Sequence, residues 1–187
     1  MSIRSTQVGS IVLAVLLLCA AGGLVAWTTK ATTRSFQDTT VSVGEPGHLH
    51  QAEIKVPAVA AAGSVDDGIS TQQCGRDCVF LVLPVEVATH TQEPLPLRSE
   101  LHYAGLTVIP DQRVATAVGQ RVTSAVVFAV RPTDLAGARL MLSPLETVHG
   151  YQRRLVIDLG ITPGGAADLA AQSGEQLILP PIASEPL

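Results

Sequence analysis

From Gly9 to Trp27 the chain runs without a charged residue, whereas from Val41 onward apolar and polar residues alternate in short bursts. The first pattern has the length of a membrane span, because at 1.5 Å of rise per residue it would extend about 28 Å, close to a hydrocarbon thickness of about 30 Å. The second has a period of two, which sends successive side chains to opposite faces of a pleated strand. Its clearest instance places Leu155, Ile157, Leu159 and Ile161 on one face and Arg154 and Asp158 on the other. Ala52, Ile54 and Val56 alternate with Gln51, Glu53 and Lys55, and Leu95, Leu97, Leu101 and Tyr103 oppose Arg98, Glu100 and His102. Val122, Val126, Phe128 and Val130 share a face opposite Thr123 and Ala125, and Ala138, Leu140 and Leu142 form a shorter one. The run from Val79 to Val87 is apolar on nearly both faces, as in a central strand. Pro84 has no amide proton to give a ladder, so that strand needs a bulge or a free edge there.

Turn residues separate these bursts at Glu45-Pro46-Gly47, Glu93-Pro94, Ala104-Gly105, Pro110-Asp111, Arg131-Pro132 and His149-Gly150. Short strands at such spacing predict a sandwich or barrel. Helix is scarce: one turn over Thr133 to Gly137, capped by Thr133 or Asp134, and a weak helix over Ala166 to Gln172. The expected organisation is an N-terminal signal anchor over 1–30, a polar Ser/Thr-rich stalk over 31–40, a β-sandwich domain over 41–162 and a flexible Pro, Gly, Ala and Ser-rich tail over 163–187.

Three readings of the first block stay open: an uncleaved signal anchor, a cleaved signal peptide and a lipoprotein signal. Its apolar stretch is longer than the 7–15 residues or so usual in cleaved signals, which favours the anchor. Cys19 follows Leu18, where a lipoprotein signal wants a small residue. Trp27, Lys30 and Arg34 mark the far boundary, while Arg4 stands before it, so charge does not fix the orientation. All three readings put the bulk of the chain outside the cytoplasm.

At 187 residues there is room for one ordinary domain beside the anchor. A formal net charge of -4 with no run of Lys or Arg longer than Arg153-Arg154 argues against a nucleic-acid partner. Asparagine is absent, which removes every N-glycosylation acceptor. Cys74-Gly75-Arg76-Asp77-Cys78 is the most specific local feature: in an oxidising compartment the two thiols can close a small loop just before a strand. Reactive dithiols usually have two intervening residues and sit at a helix N-terminus, so a structural disulfide is the expectation and a redox role the alternative. His48 and His50 share a face of an extended segment, but no further ligands stand at a metal-binding spacing. Asp66-Asp67-Gly68 could hold Ca²⁺ or supply an acid and a base, and reads more simply as a solvated turn. No Gly-x-Ser-x-Gly, His-Glu-x-x-His, phosphate loop or dinucleotide fingerprint occurs, so neither an enzyme nor a cofactor is expected. An aromatic content of 3% makes a carbohydrate or peptide groove lined by Trp and Tyr a poor expectation.

The segments Phe80-Leu81-Val82-Leu83-Pro84-Val85-Glu86-Val87, Gln92-Glu93-Pro94-Leu95, Val126 to Leu135 and Val156-Ile157-Asp158-Leu159-Gly160-Ile161 follow one another in an order that resembles the immunoglobulin-like, telokin-like domains of actinobacterial exported proteins. The resemblance implies an all-β, immunoglobulin-like antiparallel sandwich with a binding or structural role, and it supplies no catalytic residue. The expected function is that of an extracytoplasmic binding or assembly module of the cell envelope, in contact with membrane lipid through its N-terminal helix and with an envelope or membrane protein through its domain. A ligand-binding or sensory domain and a redox-active envelope protein using Cys74 and Cys78 are the alternatives.

Overall fold

In chain order the strands are β1 (Ser35–Ser42), β2 (Pro46–Leu49), β3 (Ala52–Lys55), β4 (Ala60–Ala62), β5 (Ser64–Asp66), β6 (Thr71–Gln73) and β7 (Val79–Thr89). They continue with β8 (Leu97–Tyr103), β9 (Leu106–Val108), β10 (Gln120–Val130), β11 (Arg139–Pro144), β12 (Tyr151–Asp158), β13 (Gln176–Ile178) and β14 (Ala183–Pro186). The computed structural model describes residues 35–90, 92–93, 95–145 and 151–187, with the backbone only at 35, 36, 151 and 152. The anchor expected over 1–30 lies outside these residues. Among the described residues no helix is long and apolar enough to cross a membrane.

A five-stranded sheet runs in the order β1-β12-β11-β8-β9 and a six-stranded one in the order β14-β10-β7-β3-β2, with β4 also pairing to β7. One continuous core lies between them. It takes Ile54, Leu81, Leu83, Val85, Val87, Val126 and Phe128 from the second sheet and Leu97, Leu101, Leu140, Leu142, Leu155 and Ile157 from the first. Outside β7, whose run is apolar on nearly both faces, these are positions that the period-two reading put on the apolar face of a strand, and burial of such side chains contributes on the order of 2 kcal/mol each. Leu159 and Ile161 are buried too, although β12 ends at Asp158. The architecture is a mostly β sandwich with one short helix, α1 (Pro163–Ala171), among the described residues.

Pro84 is accommodated by a break in the neighbouring ladder. On one edge of β7, β4 pairs with Phe80 to Val82 and β3 pairs with Glu86 to Thr89. Pro84 falls in the gap, where no ladder partner needs its missing amide. On the other edge it lies opposite Ala125 of β10. The β8–β9 hairpin turns through Ala104 and Gly105, whose φ values of 47° and 76° are the left-handed pair that a tight two-residue turn requires.

Two expected boundaries change. The stalk over 31–40 is not all stalk, because β1 begins at Ser35 and forms the edge of the five-stranded sheet against β12. Residues 37–40 are exposed, so an edge strand there can be as polar as a linker and its composition does not reveal it. The tail over 163–187, expected to be flexible, is built into the fold. Thr162 caps α1 by accepting a hydrogen bond from the Gly165 amide, and Ala166 enters the core. Beyond the helix, β13 pairs in parallel with β5 and β14 pairs antiparallel with β10. The helical turn expected near Thr133 is a 3-10 turn over Pro132–Asp134 whose N-cap, Arg131, makes no side-chain cap.

Candidate functional site

β7 presents two apolar faces, and the second is covered by something other than the sandwich partner. Phe80 and Val82, with Ala125 of β10 and Val65 of β5, make a separate small cluster. Over it lies a three-stranded sheet in the order β13-β5-β6, and Leu177, Leu179 and Cys74 pack against the same cluster. The Cys74–Cys78 disulfide closes the connection from β6 to β7, with its Cα atoms 5.4 Å apart. It therefore ties the small sheet to the strand that it covers. Both cysteines are half-buried, Gly75, Arg76 and Asp77 are exposed, and Asp77 takes a left-handed φ of 57° to complete the loop.

Gly63 is the hinge of this arrangement. Its carbonyl accepts from the Cys74 amide at 2.8 Å, and its own amide donates to the Glu175 carbonyl at 2.9 Å. A Cβ added there would run into the backbone carbonyl oxygen of Ser173, so the close approach requires glycine. Gln172 adds a side-chain carbonyl that accepts from the Ala61 amide at 3.3 Å. Sequence reasoning missed Gly63, Leu177 and Leu179. The available signal was the two-sided apolarity of Val79 to Val87, since a second apolar face must be covered by some other part of the chain.

Asp66 and Asp67 are engaged by the turn they sit in. Asp67 Oδ1 accepts from the amides of Ile69 at 2.9 Å and Ser70 at 2.7 Å, and Asp66 Oδ1 accepts from the Gly68 amide at 2.8 Å. The Ser70 and then the Ile69 amide hold the Asp67 carboxyl below its ordinary pKa. The pair organises a hairpin tip. His48 is exposed on edge strand β2 and His50 in the following turn, while His90 is also exposed. Among the described residues no three His, Cys, Asp or Glu side chains gather as metal ligands.

The outward face of the five-stranded sheet carries a set of ion pairs. Arg154 donates to both carboxylate oxygens of Asp38, Nε to Oδ1 at 2.9 Å and Nη2 to Oδ2 at 2.7 Å. This fork fixes β1 to β12 across the sheet edge. The hydrogen bonds from Arg154 hold the Asp38 carboxyl below its ordinary pKa, and Asp38, helped by Glu100, raises that of Arg154. On β8, Glu100 lies 2.7 Å from Arg98 Nε and 3.1 Å from His102 Nε2. Two shallow grooves of about 360 and 330 Å³ flank the β8–β9 hairpin. The first is lined in part by Arg98, Asp111 and Arg113 with the exposed apolar Ile109 and Leu145, and the second by His102, Leu106 and Arg139.

No family model matches the chain, and no curated protein does. Among solved structures it is similar to a candidate lipoprotein of Bacillus subtilis, at 16% identity over 60% of this chain with a TM-score of 0.42. The chain spans 38% of that protein's length. A conserved Bacillus anthracis protein of unassigned function matches at 15% identity over 54% of this chain and 87% of its own, with a TM-score of 0.43. An uncharacterised β-sandwich protein of Clostridium difficile matches at 14% identity over 67% of this chain and 97% of its own, with a TM-score of 0.38. Each likeness is partial, and none transfers a ligand or an activity to this chain.

Proposed function

We propose that the chain is an extracytoplasmic β-sandwich module, held at a membrane by its N-terminal hydrophobic segment, that takes part in cell-envelope assembly through protein contacts and not through catalysis. The observation that carries the reading is the Cys74–Cys78 disulfide, because such bonds persist outside the reducing cytoplasm. The uncharged run from Gly9 to Trp27 supplies a means of reaching that compartment. Sheet edges offer backbone groups for a partner's strand, and the exposed Ile109 and Leu145 give a protein contact something apolar to cover. The immunoglobulin-like topology of the telokin-like exported domains belongs to the same proposal.

A reporter enzyme that matures only where disulfides form, fused after Leu187, tests the compartment: activity is expected, and an inactive fusion beside an active fusion of a cytoplasm-only reporter at the same position overturns the reading. Crosslinking from intact membranes tests the role, and reproducible protein neighbours are expected. The ligand-binding alternative draws on the two grooves beside the β8–β9 hairpin. A ligand-dependent rise in melting temperature with no reproducible protein neighbour would favour it instead.

A further inference from the structure

The last two strands are held in very different ways. β13 is anchored by Leu177 and Leu179 in the cluster around Phe80, and the Leu179 amide donates to the Asp66 carbonyl at 2.8 Å. Pro180, Pro181 and Ile182 follow, and then β14, all four of whose side chains are exposed. β14 is held by its backbone ladder to β10, which runs from Gln120 opposite Pro186 to Thr123 opposite Ala183, and by the Leu187 amide donating to the Gly119 carbonyl at 3.1 Å. In this register Glu185 stands opposite Arg121, so an acidic strand meets a basic position on the edge.

We infer that this edge of β10 is a strand-exchange site, whose second occupant is β14 of another copy of the chain. With no side chain of β14 buried, its own segment and the same segment of a second copy make the same hydrogen bonds and the same Arg121–Glu185 pairing, so exchange sacrifices no packing. The two prolines have fixed φ and no amide donors, and residues 179–182 form no turn, so the connection is an extended spacer, about 3.1 Å per residue. When β14 leaves, the exposed donors and acceptors of β10 need a strand, and a neighbouring copy carries one of the right register and charge. Two copies exchanging reciprocally give a closed two-fold dimer. The inference deepens the assembly reading above, since copies tethered in one membrane meet at raised effective concentration.

The test uses two full-length chains with different tags, both carrying Cys19→Ser, co-expressed so that one bears Arg121→Cys and the other Glu185→Cys. Membranes are treated with a short bis-maleimide. A crosslinked species with both tags is expected at about tenfold or more over a control pair in which Ile69→Cys replaces Glu185→Cys. The exchange is overturned if no such excess forms while a single chain carrying both Arg121→Cys and Glu185→Cys crosslinks within itself. It is equally overturned if the single chain fails to crosslink, because the ladder would then be absent. Either failure with envelope neighbours still captured sinks the exchange alone and leaves the assembly reading standing.

Discussion

The two faces of β7 are made from the same kinds of residue and do different work. Val79, Leu81, Leu83, Val85 and Val87 face a core fed by both sheets, whereas Phe80 and Val82 face a small cluster closed by a short sheet, a disulfide and the end of the chain. The first face is secured by the sandwich as a whole. The second depends on a few contacts that can be removed one at a time, which makes it the region of lower local stability.

The largest expected effect separates the two faces directly. Leu83→Ala, at a fully buried core position, should cost about 2–5 kcal/mol and lower the midpoint of global unfolding by denaturant. Phe80→Ala should instead speed hydrogen exchange at the amides of β5 and β13 more than in the sandwich core. Equal loss of protection in both regions would erase the distinction. Next, Cys78→Ser should cost about 2 kcal/mol by loop entropy and loosen the small sheet first, as read by proteolysis near β6. Resistance identical to that of the unaltered chain would mean that the cluster holds the small sheet without the bond.

Smaller changes sharpen the picture. Gly63→Ala drives a methyl group into the Ser173 backbone carbonyl and should cost about 1–3 kcal/mol because the backbone of that turn must shift, with exchange rising at the Glu175 segment. Asp38→Asn removes the fork to Arg154 at the opposite side of the molecule; because Asp38 is 40% exposed, solvent screening limits the loss to about 1 kcal/mol or less. Its folded-state pKa is depressed, so this contribution is fully present above the ordinary carboxylate value of about 3.9 and fades as pH falls through the folded value. Unfolding midpoints of the unaltered and Asp38→Asn chains should therefore converge in acid, and a gap that widens there would contradict the ion pair.

Much of the sandwich was legible because a strand with one buried face writes its own period. Ile54, Leu101, Phe128, Leu140 and Ile157 were readable as interior from their immediate neighbours alone, and the four-residue spacing with Gly between Cys74 and Cys78 marked the loop that closes. The fork from Arg154 was not legible, since its partner Asp38 sits in a polar stretch where an exposed edge strand and a linker have the same composition. Nor was the docking of the tail.

By itself the sequence determined which short segments extend and which of their side chains turn inward, because alternation is local information carried by adjacent residues. Tertiary structure alone decided that the last segment returns to cover Phe80 and to pair with β5 and β10. Those pairings join residues more than fifty positions apart through backbone groups that every residue carries, so no side-chain pattern announces them.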